Sequence, residues 1–126
     1  MEDLFYEATH STPGISLNGS TGTIELYGRS IPENALNVYR PVLDWMDQYM
    51  VQPKEQTVLN FKIEFFNTSS SKFILQILKK LEELHRQDYK VKVNWYYNDE
   101  DILDLAEDYH ELVKIPFDFH EAILKQ

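Results

Sequence analysis

One stretch limits what this chain can fold into more than any other: TVLNFKIEFFNTSSSKFILQILKKLEEL, from Thr57 to Leu84. Its first part alternates Leu59, Phe61, Ile63 and Phe65 with Asn60, Lys62 and Glu64, the period of two required of a strand with one buried face. After a polar break, Phe73, Ile74, Ile77, Leu78, Leu81 and Leu84 recur at helical spacing and predict an amphipathic helix. Between them lies Asn67-Thr68-Ser69-Ser70-Ser71, so four consecutive hydroxyl residues stand where a helix begins. The first N–H groups of a helix lack intrahelical partners and carry positive partial charge. A capping hydroxyl satisfies them, with Ser70 or Ser69 in that role, and a phosphate satisfies them equally well.

The flanking segments place this unit in a sheet. Leu4 to Thr9 reads as a short strand, with Leu4, Tyr6 and Ala8 on one face, and Ile15 and Leu17 mark a second. Asn18-Gly19-Ser20-Thr21-Gly22 is a turn, and Thr23 to Tyr27 a third strand closed by Gly28, so the opening quarter is a β-meander. Ser30-Ile31-Pro32-Glu33 has the form of a helix start capped by Ser30. The stripe Leu36, Tyr39, Val42, Leu43, Met46, Tyr49 and Met50 predicts the helix itself, kinked at Pro41 or restarting near Arg40.

Past the central helix, Val91, Val93, Trp95 and Tyr97 alternate with Lys90, Lys92, Asn94 and Tyr96. Strand, helix and strand make a βαβ unit with parallel strands and a right-handed crossover. A last helix is expected from Asp99 to Val113, with Ile102, Leu105, Ala106, Tyr109, Leu112 and Val113 inward. Ile115 to Phe119 is expected as a short edge segment. The outward strand positions Asn60, Lys62, Glu64, Lys90, Lys92 and Asn94 are polar, whereas a sheet covered on both faces reads as continuous apolar runs. These patterns predict an α/β chain: one mixed sheet with all helices on one face, forming a single domain over residues 1–126. The meander can join either edge of the βαβ unit.

Composition removes several functions. The net charge of −9 leaves no basic patch for nucleic acid and disfavours an anionic membrane surface. No cysteine is present, which excludes disulfides and thiolate chemistry. The opening MEDLFYEATH lacks the apolar core of a secretion signal, and no apolar run is long enough for membrane insertion. A cytoplasmic setting is the expectation. No nucleophile elbow, P-loop or dinucleotide fingerprint occurs, and the histidines His10, His85, His110 and His120 show no metal-ligand spacing. No cofactor is expected, and the chain is read as a non-enzyme.

Two clusters remain as candidate sites. The hydroxyl turn follows a central parallel strand at its C-terminal end, where α/β sheets tend to place their sites. Asn98-Asp99-Glu100-Asp101 follows the other parallel strand and should open at the same edge. Most of its charge complements a helix dipole or is simply solvated. A phosphate on Thr68 would add about −1.5 to −2 charges beside these carboxylates and disfavour a partner that docks there. The alternative is a small-ligand or divalent-metal-binding domain using Asp99, Glu100 and Asp101, although the run lacks the glycine and spacing of an EF-hand loop. Tyr96 is expected on the open face with Phe66, Tyr27 and Phe5, either as a protein-binding patch or covered by the tail.

Taken together, FFNTSSSKFILQIL, LFYEATHSTPGISLNGSTGTIELYGRSIPEN, YRPVLDWMDQYM and VNWYYNDED resemble the SiaC-type regulatory phosphoproteins over nearly the whole chain. The Asn-Thr-Ser-Ser-Ser-Lys turn is the most specific part. The resemblance implies a fold like the STAS domains of anti-sigma-factor antagonists and a partner-switching protein without catalysis. It implies phosphorylation of Thr68, with Ser69 and Ser70 as alternatives, by a Ser/Thr kinase of the histidine-kinase-like ATPase type, reversed by a PP2C-type phosphatase. It further implies that the unphosphorylated form binds and activates a diguanylate cyclase, raising cyclic di-GMP and promoting biofilm formation. The partner-binding residues would then be Asn67, Thr68, Ser69, Ser70, Lys72, Asp99, Glu100 and Asp101.

Overall fold

Alternating burial along the four inner strands, not length or propensity, sets the architecture. In the computed structural model, which describes residues 2–122, the elements are β1 (Leu4–Tyr6), β2 (Gly14–Asn18), β3 (Thr23–Ser30), α1 (Ala35–Tyr49), β4 (Gln56–Phe66), α2 (Thr68–Arg86), β5 (Lys90–Tyr97), α3 (Glu100–Leu112) and β6 (Phe117–Glu121). They build one six-stranded sheet whose spatial order, β1-β2-β3-β4-β5-β6, equals the chain order. The first two pairings are antiparallel, and β3–β4, β4–β5 and β5–β6 are parallel. The meander therefore joins the βαβ unit through β3. Three consecutive crossovers of one hand, each stepping the same way across the sheet, place α1, α2 and α3 on the same face.

That face holds the core. Leu59, Phe61, Ile63, Val93 and Trp95 of the central strands meet Ile74, Ile77, Leu78 and Leu81 of α2, all essentially without exposure. Burial of each such side chain contributes about 1.5–3 kcal/mol. Trp95 stacks on Phe61 with ring centroids 3.7 Å apart and is flanked by Phe66, Tyr109 and Phe117. The opposite face stays open and polar. Asn94 donates to Asn60 at 3.0 Å, and Lys62 approaches Glu25 at 3.6 Å. Lys92 meets Asp118 at 2.7 Å and holds its carboxyl below the usual carboxylate range.

Several local expectations change. β3 does not stop at Gly28 but continues to Ser30, and Ser30 is a buried strand residue; Asn34 caps α1 instead. Gly28 sits at φ 85°, beside a register shift in which Gly28 pairs with Ile63 but Arg29 pairs with Phe65. Glu64 is the extra residue of this bulge. It reverses the facing of the strand residues after it, so Phe65 turns out to 50% exposure while Phe66 turns in to 6%. The sequence placed these two phenylalanines the other way round. Helix α1 runs unbroken through Pro41, and its buried stripe includes Trp45, while Leu36 is exposed. Leu105 and Leu112 of α3 are likewise exposed and not inward. Gly22 carries the expected turn with φ 72°, and an added Cβ there would lie 2.5 Å from the Gln56 carbonyl and 2.7 Å from the Tyr49 hydroxyl.

Candidate functional site

The site is assembled where the parallel strands end. Asn67 leaves β4 in extended conformation, φ −87° and ψ 172°, and its side chain caps α2. Its Oδ1 accepts from the Ser70 N–H at 3.0 Å, from the Ser70 hydroxyl at 2.7 Å and from the Ser69 hydroxyl at 3.1 Å. The cap is thus Asn67 and neither of the two serines proposed for it. The Asn67 N–H donates to the Ser30 carbonyl at 3.0 Å, which pins the cap to the end of β3.

Beneath the cap runs a buried chain of hydroxyls. Ser70 Oγ lies 2.9 Å from Ser30 Oγ, which lies 2.6 Å from the Tyr39 hydroxyl on α1. Ser30, Ser70 and Tyr39 have no exposure. Burial pushes the Tyr39 phenol up to about 12, against the smaller lowering effect of its serine neighbours. The ring of Tyr39 also stacks on Phe73, one turn into α2, at 5.7 Å. Ser70, counted from sequence as an alternative acceptor and as a partner contact, has its side chain turned into the core in this fold.

Thr68 and Ser69 are exposed. The Thr68 hydroxyl makes no hydrogen bond among the described residues, and its carbonyl accepts from Ser71 Oγ at 2.7 Å. The Thr68 and Ser69 N–H groups also find no backbone partner there. Thr68 is the first residue of α2 and so stands in the positive field of the helix start. From the other side, the Tyr109 hydroxyl donates to the Ser71 carbonyl at 2.8 Å and ties α3 to this turn. Burial raises the Tyr109 phenol far above its ordinary range. Lys72 is exposed one turn on, its ammonium 5.7 Å from the Phe73 ring.

The acidic turn opens at the same end of the sheet, because β4 and β5 are parallel. Asp99 caps α3, its Oδ1 accepting from the Ile102 N–H at 3.0 Å, and Glu100 and Asp101 are exposed in the first turn. Among the described residues no group of three acidic or histidine side chains is arranged to hold a metal ion. No helix among them is long and apolar enough to cross a membrane. The Ser30–Tyr39 part of the network escaped the sequence reading, because Ser30 there resembled a cap. The Asn67 cap was within reach, since asparagine is among the strongest N-cap residues and directly precedes the helix.

Known proteins share this fold and much of this sequence. A family model described as SiaC family regulatory phosphoprotein matches residues 6–122. An uncharacterized protein of Pseudomonas aeruginosa strain UCBPP-PA14 is 33% identical over 119 residues, covering 93% of this chain and 94% of its own. The crystal structure of apo-SiaC from Pseudomonas aeruginosa aligns with a TM-score of 0.90 at 32% identity, over 95% of this chain and 99% of that one. A chain in the crystal structure of the diguanylate cyclase SiaD in complex with its activator SiaC, from the same organism, aligns with a TM-score of 0.90 at 31% identity, over 95% of this chain and all 100% of that one.

Proposed function

The chain belongs to the SiaC family of regulatory phosphoproteins, and on that premise we propose that it is a non-catalytic partner-switching protein with the Thr68 hydroxyl as its switch. The observation that carries this reading is the sorting of the hydroxyl cluster. Ser70 is locked into the core, Ser69 and Ser71 are hydrogen-bonded to the turn, and Thr68 alone of the four is exposed with its hydroxyl unengaged among the described residues. A Ser/Thr kinase of the histidine-kinase-like ATPase type esterifies that hydroxyl in the cytoplasm, and a PP2C-type phosphatase hydrolyses the ester. Unphosphorylated, the chain binds and activates a diguanylate cyclase, and cyclic di-GMP rises toward biofilm formation. SiaC, the activator in the SiaD complex, supports that choice of effector.

Chemically, the switch works through charge. The phosphate brings about −1.5 to −2 charges to a surface that already presents Asp99, Glu100 and Asp101 at the same sheet end. A partner shaped for a neutral hydroxyl then meets steric bulk and a dianion together. The helix-start N–H groups of Thr68 and Ser69 offset part of the phosphate's charge locally, so the modified turn stays folded. Asn67, Ser69 and Lys72 frame the hydroxyl and belong to the same docking surface.

Phosphopeptide mass spectrometry over Asn60–Lys79 from native cells, with calorimetry of Thr68→Ala and Thr68→Glu against the cyclase, tests the reading. The alanine variant should bind as the unmodified chain does, and the glutamate variant should lose binding by about tenfold or more. Equal binding by the two variants, together with an unmodified Thr68 under all growth conditions, would sink it.

A further inference from the structure

Helix α3 buries Ile102, Ala106 and Tyr109 against the sheet. Its two flanks differ. On one, His110 packs against Phe117 and Phe119 of β6, with ring centroids 4.8 and 5.8 Å away. On the other, away from β6, Asp101, Leu105, Asp108 and Leu112 follow one another at i, i+4, i+7 and i+11 and form one ridge. Leu105 is 38% and Leu112 60% exposed. A single exposed leucine carries no meaning, but two on one ridge, two turns apart, make an apolar strip that gains free energy when covered.

The carboxylates that α3 itself sets beside that strip are of one sign. Asp101, Asp104, Asp108 and Glu111 are all exposed, and none enters an ion pair among the described residues. No lysine or arginine occurs between Lys92 and Lys114. Surface carboxylates elsewhere in the molecule do find cations, as Glu82 and Glu83 do with Arg86 on α2. A second copy of the same face would bring like charges together, which excludes self-association through this ridge.

We propose that the α3 ridge is a docking surface for a partner α-helix that carries apolar side chains at i and i+7, flanked by lysine and arginine. Leu105 and Leu112 are separated by about 10 Å along α3, and an i, i+7 pair on a helix laid beside it has the same separation. The apolar pair supplies the anchor and the basic flanks pair with the free carboxylates, so charge chooses the partner and fixes its register. The surface is defined by α3 alone and goes beyond the Thr68 switch.

The test is an NMR titration of the intact chain with a synthetic peptide about five helical turns long, leucines at helical spacing and lysines and arginines beside them. Its comparators are a scrambled peptide of identical composition and one with its cations replaced by glutamate. Saturable amide shifts centred on residues 101–112 are expected, with affinity about tenfold weaker in the Leu105→Ser/Leu112→Ser variant. Asp104→Asn/Asp108→Asn, which removes no apolar contact, should weaken binding at low salt and match the unaltered chain at high salt. Shifts scattered over the surface, equal binding of the scrambled peptide, or indifference to both variants would overturn the inference.

Discussion

Replacing Asn67 separates the cap from everything else at the start of α2. In Asn67→Ala the Ser70 N–H loses its side-chain acceptor and keeps only the Asn67 carbonyl at 3.1 Å, and loss of such a cap costs about 1 kcal/mol, within a range of roughly 0.5–2. The buried Ser70 hydroxyl also loses its 2.7 Å contact to Oδ1 but keeps Ser30 Oγ at 2.9 Å and the Ser30 carbonyl at 3.2 Å. Because it is not orphaned, that loss adds only about 0.5–1 kcal/mol. The expected total is about 2 kcal/mol, or a fall in melting temperature of about 8 °C for a chain of this size. Asn67→Asp keeps the acceptor and adds a charge that favours a helix start. It gives up only the long 3.4 Å contact from the side-chain amide to the Pro32 carbonyl, so its stability should lie within about 0.5 kcal/mol of the unaltered chain. Urea unfolding at 25 °C and neutral pH, with unchanged m-values, measures both. If the aspartate variant were as unstable as the alanine variant, the amide donor and not Oδ1 would be the important atom, and the account of the cap would be wrong.

The same geometry has other consequences. Ser70→Asp forces a carboxylate into a site without exposure and should lower stability by about 3 kcal/mol or more or prevent folding, whereas Thr68→Glu should change it by less than about 1 kcal/mol; similar melting temperatures for the two would contradict the sorting of the hydroxyls. Tyr39 holds its proton more tightly folded than unfolded. It therefore adds stability that is fully present below about pH 10 and is lost as pH rises toward its folded value of about 12. Tyr39→Phe should accordingly lose less stability than the parent between about pH 10 and 12 in urea titrations, and equal losses would refute the assignment. Gly22→Ala, with φ 72° and the Gln56 carbonyl 2.5 Å from the new Cβ, should cost about 2 kcal/mol or more by thermal melting, and a neutral outcome would show that the turn relaxes freely.

Periodicity made most of the sheet legible. Leu59, Phe61 and Ile63, or Val91, Val93 and Trp95, could face one way only, and the polar residues between them required an open second face. What periodicity cannot see is an insertion in its own count. The bulge at Glu64 depends on pairing with Gly28 and Arg29, distant in sequence, so Phe65 and Phe66 were assigned to each other's faces. Ser30 misled for a related reason: a serine ahead of a proline has the chemistry of a cap, and only the register of β3 against β4 shows that it is still in the sheet. At the hydroxyl turn the composition was visible but the division of labour was not. Which serine is buried depends on Ser30 at the end of β3 and on Tyr39 arriving from α1, both distant from Ser70 in the sequence. Leu105 and Leu112 satisfied the helical spacing of a core stripe, yet α3 lies where only a narrow part of its circumference meets the sheet.

The identity of strand order and chain order bears on how the molecule comes into being. Each strand pairs with the one made just before it, so no strand must be threaded between two that are already joined. Each crossover helix can settle on the newly added strand before the next is synthesised, and the sheet grows at a single advancing margin. Loop closure at each step spans only one helix and its turns, which keeps the entropic cost of every addition small. A chain emerging from the ribosome could thus acquire its structure in the order of its synthesis, with the hydroxyl turn framed on three sides as soon as α3 has docked.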